Sequence, residues 1–563
     1  MIQRRFLVYR DGMQRAFDHR PFLAPLAPLA LIAAALAFTS ALTPSLIPRT
    51  GALQGALAGS AFLAVYAICT AIAGVWHWLG LPVSRPGWLV WGASGVALVI
   101  MGFGLARATE WQNAVNSAAG IEPVETARPV IIAAVALGII VPVIALGRLA
   151  RLIVISAANR LARFLPTRVA LLGALVLTAS LFWSVGNGLL GAALLNTLDS
   201  AARQVDTFMV PEQSPPSAPV MSGSAASLVD WDSMGAAGRA RVSAFPDLAQ
   251  IEALAGSDAA RPAMTPARVY VGLNSADTPE ERAALALNEL IRSDAFSREV
   301  LVIGTPTGTG WIHRASLSTL EYLWRGNVAS VSVQYSYLPS WLTLLVDPDY
   351  GEESAQAVFR AVHDHWRGLP ADSRPRLYLY GLSLGSLYSE SSADLWDLLD
   401  APYDGAFWVG PTFTNPLWQE FTARRNPDSP AWRPVLGSGG LVRFATQDGV
   451  PDHGDASWGP LRIHYLQYPS DAITFFEPES FYRRPQWLSP RAPEVTPEFR
   501  WVPVVTFFQL LADLFAAFHT PIGMGHVYSA AGYLDGWYRL TDPPGWDEDS
   551  LSALRAWYAE QGL

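Results

Sequence analysis

The sequence predicts two parts: an N-terminal all-α membrane bundle of about five transmembrane helices, then a C-terminal α/β domain with a mostly parallel sheet. Three observations carry this. Only 15% of the 563 residues are charged and 51% are hydrophobic, with a mean hydropathy of +0.22, whereas a soluble domain carries about 25% charged residues. The charge is also split. Residues 1–200 hold 14 arginines against 6 acids, net +8, and the remainder holds 25 against 42, net −17. Beyond residue 268, short β-branched runs alternate with helical stretches.

All 39 basic residues are Arg, and the acidic second half argues against nucleic-acid binding, which needs clustered positive charge. A single cysteine, Cys69, excludes an intrachain disulfide framework and a cysteine metal site.

Five uncharged segments, at 22–43, 54–79, 86–106, 129–147 and 169–196, are long enough to cross a hydrocarbon core, which takes about 20 helical residues. The first is too long for a signal-peptide core of about 7–15 residues. Arginine placement orients the bundle. With the N-terminus inside, the cytoplasmic side holds Arg4, Arg5, Arg10, Arg15, Arg20, Arg85, Arg148, Arg151, Arg160, Arg163 and Arg168. The outer side keeps Arg49, Arg107 and Arg128. The positive-inside rule then places the N-terminus in the cytoplasm, and five crossings put everything after Asn196 outside.

Gly51, Gly55 and Gly59 recur every four residues. That spacing allows close helix packing inside the bundle, or a homo-oligomer through the transmembrane helices. No span contains Asp, Glu, Lys or Arg, so the membrane part reads as an anchor. The Pro/Ser/Ala-rich stretch 209–227 reads as a loose linker. The expected organisation is therefore an anchor over 1–200, a linker over 201–226 and an outer domain over 227–563.

In the outer domain, strands are expected at 268–273, 299–303, 328–335, 376–380, 406–409 and 461–468, with helices at 279–292, 353–367 and 386–399. Strands separated by helices of 10–15 residues indicate a mostly parallel sheet covered on both faces. The strand Leu377-Tyr378-Leu379-Tyr380 runs into Gly381-Leu382-Ser383-Leu384-Gly385 and then a helical pattern. This is G-x-S-x-G in the strand–turn–helix setting of a nucleophile elbow.

A serine hydroxyl needs a base, and the base an orienting acid, in the order Ser, acid, His. Asp471 follows the late strand 461–468, ahead of the competitors Asp448, Asp452 and Asp455, which precede it. His526, in Gly523-Met524-Gly525-His526, is the expected base; His519 ends an apolar helix and reads as structural. One oxyanion donor is the N–H of Leu384, directly after the nucleophile. The other is Thr307 or Gly308, in the Gly-rich loop 304–310, which has no Lys and so is no P-loop.

His363-Asp364-His365 lacks further ligands for a metal and reads as a solvated helix face. The run 501–518 is interrupted by Gln509 and Asp513 and reads as a buried helix of the outer domain rather than a sixth span. The apolar stretch 335–346, with Tyr335, Tyr337 and Trp341, reads as core, as an acyl-pocket wall or as a bilayer-facing surface. Residues 411–441 are strand-poor and form a candidate lid.

The chain resembles the bacterial membrane-anchored proteins of α/β-hydrolase family 9. The resemblance rests on Thr43-Pro44-Ser45-Leu46-Ile47-Pro48-Arg49, Thr305-Pro306-Thr307-Gly308-Thr309-Gly310-Trp311, Gln334-Tyr335-Ser336-Tyr337-Leu338-Pro339-Ser340-Trp341, the elbow, Ser470-Asp471 and Gly525-His526. It implies the α/β-hydrolase fold and a triad, without a defined substrate.

The expected activity is that of a membrane-bound serine hydrolase cleaving carboxylic esters, lipid or acyl esters above all, on the outer face of the cytoplasmic membrane. Ser383, His526 and Asp471 would carry the reaction, with no metal or organic cofactor. The alternatives are acyl transfer from the same acyl-enzyme, and a non-catalytic membrane scaffold with a relic hydrolase fold.

Overall fold

The computed structural model describes residues 27–79, 81, 87–184, 214–255, 261–340, 348–451, 453 and 456–563. Two units make up the chain. The first comprises Met1–Thr197, Pro478–Arg484 and Thr496–Asp513; the second comprises Leu198–Glu477, Pro485–Val495 and Leu514–Leu563.

The first unit contains helices α1 (Pro28–Ala41), α2 (Gly51–Trp78), α3 (Gly87–Ala118), α4 (Pro129–Leu161) and α5 (Thr167–Trp183). Among the described residues, 3 helices are long and apolar enough to cross a membrane, over Gly51–Trp76, Trp88–Ala118 and Pro129–Leu161. Among the described residues this is fewer than the expected five. Helix α1 has 14 residues, about 21 Å at 1.5 Å per residue against a core of about 30 Å. The chain leaves it at Leu42, and Pro44 disfavours helical geometry at Thr43. Helix α5 has 17 residues, and the rest of the segment expected at 169–196 lies outside the described residues.

Large apolar side chains on these helices face outward, Trp91 at 82% and Val130 at 79% exposure. An apolar exterior of this kind suits lipid rather than water. The glycine stripe lies on α4. A Cβ on Gly55 would meet the Ile132 carbonyl oxygen at 2.6 Å, and one on Gly59 would meet Ala136 Cα at 3.2 Å. The stripe therefore packs helices within the bundle.

Helix α11 (Val505–Ala516) departs most from expectation. Instead of packing in the α/β domain, its residues up to Asp513 belong to the first unit. Val505 and Ala512 join the apolar cluster of Phe38, Ala58, Phe62, Ile132 and Ala136. Its two interrupting polar residues, one turn apart, dock on the loop after α1. Asp513 accepts from Arg49 Nε at 2.6 Å, Ser45 Oγ at 3.2 Å and the Leu46 N–H at 3.2 Å, and Gln509 Nε2 donates to the Thr43 carbonyl at 3.1 Å. The polar positions that argued against a membrane helix thus find partners in the Thr43–Arg49 loop, Asp513 through both carboxylate oxygens and Gln509 through Nε2.

The second unit holds a seven-stranded sheet in the order β1-β3-β2-β4-β5-β7-β6, with every pairing parallel. The strands are β1 (Ala267–Val271), β2 (Val300–Thr305), β3 (Val328–Val333), β4 (Arg376–Leu382), β5 (Gly405–Val409), β6 (Val442–Ala445) and β7 (Arg462–Leu466). Strand β6 was not expected. It has four residues at the sheet edge, and its sequence VRFA is too short to show a period.

Burial on both faces explains the near-continuous apolar runs of the central strands. Val300, Val302, Tyr378, Tyr380, Phe407 and Val409 share one apolar cluster with residues of α7 (Arg314–Leu323), α12 (Ala530–Thr541) and α13 (Glu548–Glu560). Successive side chains alternate faces, so the intervening residues meet α6 (Pro279–Arg292), α8 (Pro348–Arg367) and α9 (Leu384–Glu390). Trp408, for example, donates to Ser389 on α9 at 3.0 Å. Helix α6 starts where its capping box predicts: Thr278 accepts from the Glu281 N–H, and the Glu281 side chain reaches back, with Pro279 first in the helix.

Two further expectations shift. Part of the expected linker is packed, since Met221 and Ser222 are buried and Ser227 Oγ donates to Glu289 at 2.7 Å. The helix expected at 386–399 breaks into α9 and Leu395–Asp400, because Asp394 caps a new helix through the Trp396 and Asp397 N–H groups. The candidate lid, 411–441, carries one described helix, α10 (Pro416–Ala423), and no strand.

Candidate active site

In open parallel sheets, ligand sites gather at the carboxyl ends of the strands. Four segments meet that description here: the loops after β2, β4, β5 and β7.

Ser383 lies between β4 and α9 with φ 57° and ψ −126°. A non-glycine residue holds such a conformation at a cost of about 1–3 kcal/mol, and only where its surroundings fix it. Here the flanking glycines do so. A Cβ on Gly381 would meet the Gly385 carbonyl oxygen at 2.3 Å, and one on Gly385 would meet the Thr305 carbonyl oxygen at 2.4 Å. The Ser383 N–H donates to Val409, the last residue of β5, at 2.9 Å. Leu384 opens α9, so its N–H has no intrahelical acceptor and points with the helix dipole toward the site.

Asp471 follows β7 and caps the short helix Ala472–Phe475 through the Ile473 N–H at 2.9 Å. Its Oδ2 lies 2.7 Å from His526 Nδ1 and accepts from the Tyr528 hydroxyl at 2.7 Å. All three side chains are buried. Burial and the adjacent Asp471 charge keep the Tyr528 hydroxyl protonated, well above its usual range, so it serves as a donor. An aspartate bonded to Nδ1 selects the imidazole tautomer that leaves Nε2 open to accept a proton. Nε2 of His526 is buried and makes no hydrogen bond among the described residues.

The His526 ring lies on Gly410, just past β5, where a Cβ would come within 2.6 Å of Cε1. Val409 and Gly410 thus receive Ser383 on one side and His526 on the other. The His526 backbone is tied down as well: its N–H donates to the Ala517 carbonyl at 2.9 Å, and Gly525 takes φ +56°.

The loop after β2 backs the elbow through the Thr305 and Pro306 carbonyls. Both candidates for the second oxyanion donor are engaged. The Thr307 N–H donates to the Trp311 carbonyl at 3.1 Å and the Gly308 N–H to Ser340 Oγ at 3.2 Å.

Of the expected pocket residues, Tyr335 lines a small hollow with Thr305, Pro306, Val333, Ala355 and Val358. Its buried hydroxyl has no hydrogen-bond partner among the described residues. The Tyr337 hydroxyl instead donates to Asn274, and Trp341 lies outside the described residues. Asp452 and Asp455 also lie outside them, while Asp448 follows β6, in the turn closed by Thr446 and Gly449. His519 is exposed. His363 and His365 go to different partners, the Ala401 carbonyl at 2.8 Å and the Phe296 ring. Among the described residues no group of three or more His, Cys, Asp or Glu could hold a metal.

Three participants were not read from the sequence: Gly410, Tyr528 and Glu494, which accepts from the Ser470 N–H at 2.5 Å. Tyr528 had a signal only in its place two residues after the expected base, just past the turn closed by Met524 and Val527. Gly410 and Glu494 carried none, since their neighbours come from distant parts of the chain.

A family model described as the Alpha/beta-hydrolase family matches residues 267–554, and a second, described as the Alpha/beta-hydrolase family N-terminus, matches residues 42–246. No curated protein and no solved structure matches the chain.

Proposed function

The chain belongs to α/β-hydrolase family 9, and within that family we propose that it is a membrane-bound serine hydrolase of carboxylic esters, lipid or acyl esters above all. The observation that carries this is the 2.7 Å contact of Asp471 with His526 Nδ1, which leaves Nε2 unbonded, together with the strained turn that holds Ser383 between β4 and α9.

In the proposed reaction, Ser383 Oγ attacks the ester carbonyl carbon while His526 Nε2 takes the hydroxyl proton. Asp471 stabilises the imidazolium, and the Leu384 N–H donates to the alkoxide oxygen. Collapse of the tetrahedral species expels the alcohol, which receives the proton from His526. Water then repeats the sequence on the acyl-enzyme and frees the acid. The Gly308 N–H becomes the second oxyanion donor when the substrate oxygen replaces the Ser340 hydroxyl.

Apolar substrate is favoured by the surroundings of the base. Phe515, Phe518 and Ile522 are each about half exposed, and the Phe518 ring lies 5.0 Å from the His526 ring. Solvent-facing apolar groups beside a catalytic base suit an acyl chain. For location, five arginines against two aspartates in the first 20 residues favour a cytoplasmic N-terminus. An odd number of crossings, the three long described helices or the five expected from the sequence, then carries the residues that follow to the outer face.

The test is turnover of p-nitrophenyl esters of increasing chain length by detergent-solubilised protein, wild type and S383A. Turnover that rises with chain length and vanishes in S383A supports the proposal; equal turnover by the two forms refutes it. Adding sugar or lipid alcohols as acceptors separates the two enzymatic outcomes, because acyl transfer yields a new ester in place of free acid.

A further inference from the structure

A second carboxylate, Glu494, is tied to the two loops that carry the Asp471–His526 pair. Ser470 precedes Asp471 and Gly525 precedes His526. The Gly525 N–H donates to Ser470 Oγ at 2.9 Å, and the Ser470 N–H donates to Glu494 Oε1 at 2.5 Å. Ser470 is fully buried. Through its own hydroxyl and N–H it therefore links the Gly525 N–H to Glu494.

We propose that Glu494 is a positioning residue whose ionised carboxylate, by accepting from the Ser470 N–H, holds the Asp471 and His526 loops in register. The inference rests on the proposed roles of Ser383, His526 and Asp471. An N–H bonds an ionised carboxylate about twice as strongly as a neutral acceptor, so protonation of Glu494 loosens the tie to Ser470.

Asp448 and Asp471 face Glu494, and burial together with their charges pushes its pKa up to about 7. Both forms are therefore populated near neutral pH. Glutamine reproduces the protonated form: an acceptor oxygen for the Ser470 N–H, and a donor where the second oxygen stood.

The experiment is the pH profile of kcat for a soluble short-chain ester, from pH 5.5 to 8.5, with the full-length protein as wild type, E494Q and S383A. E494Q is expected to be about tenfold slower than wild type at pH 8.5, with KM within about twofold. At pH 5.5, where wild-type Glu494 is itself protonated, the two rates should converge to within about twofold. A structural defect would give a pH-independent deficit. A wild-type to E494Q ratio that stays constant across the range, at one or any other value, overturns the inference.

E494A removes the acceptor altogether and should be slower than E494Q at every pH; an E494A rate equal to wild type would count equally against the inference. The S383A arm keeps the two readings apart. If S383A is as active as wild type, the proposed function fails; if only the Glu494 ratio is flat, this inference alone fails.

Discussion

Gly410 lies directly beneath His526: a Cβ there would come within 2.6 Å of the imidazole Cε1 and 2.8 Å of the Tyr528 ring. The residue also has φ +50°, a conformation that glycine adopts at no steric cost. Strand β5 thereby sets how close the base can approach the elbow, since Val409 next door accepts from the Ser383 N–H.

G410A should therefore push the ring away from Ser383 while leaving the sheet intact. Displacement of a catalytic group by about 1 Å costs on the order of a hundredfold in rate. The expected outcome is a kcat loss of about that size with unchanged far-UV circular dichroism; wild-type kcat would show that the ring does not rest there.

Y528F removes one of the donors to Asp471 Oδ2 but leaves the His526 Nδ1 contact and the Ile473 N–H. A hydrogen bond to a charged group contributes about 1.5–3 kcal/mol. The orienting acid keeps its other partners, so we expect the lower end of that range, a fall in kcat of about tenfold. Steady-state kinetics on purified Y528F decides it, and no change in kcat would mean that Tyr528 is only packing.

Glu494 carries a stability consequence opposite in sign to its role in activity. Its folded-state pKa, about 7, is raised above the ordinary 4.5. Between those values the folded protein keeps a proton that the unfolded chain has lost, so stability falls as pH rises through that window and levels off above it. The effect is on the order of 3 kcal/mol. In E494Q this component is absent, so the Tm difference, E494Q minus wild type, should grow from pH 5 to pH 8. A difference that shrinks over that range reverses the assignment.

Asp513 and Arg49 form a buried ion pair, with side-chain exposures of 0% and 2%. Removing one partner of such a pair strands the other and costs about 3–5 kcal/mol, whereas replacing both with apolar residues is often tolerated. D513A should therefore lower the Tm in detergent much more than the double variant R49M/D513L. Equal losses would mean that the pair is not coupled.

Much of the second unit was legible in sequence because its signals are local. The elbow is a contiguous pentapeptide between a strand and a helix, and the Thr278-Pro279-Glu280-Glu281 cap marks the start of α6 directly. Asp471 and His526 were legible through chain order and position after a late strand, and their 2.7 Å contact joins residues 55 apart. Non-local relations were not legible. Gln509 and Asp513 look like breaks in an apolar run, and only the folded chain shows their partners at Thr43, Ser45 and Arg49. Segment 22–43 was over-read for a related reason. Hydropathy counts apolar residues and does not see that Pro44 and Pro48 end regular helix before a membrane's width is reached. Gly308 shows the remaining limit: its place in a Gly-rich loop after β2 was readable, but the hydroxyl of Ser340 on its N–H was not.

The most direct measurement is covalent labelling of the purified full-length protein by a fluorophosphonate probe, read by gel fluorescence and by mass spectrometry of the modified peptide. An activated serine should be labelled at Ser383, with labelling lost in S383A and strongly slowed in H526A. Equal labelling of wild type and S383A, or modification at another residue, would contradict the assignment of Ser383 as the nucleophile.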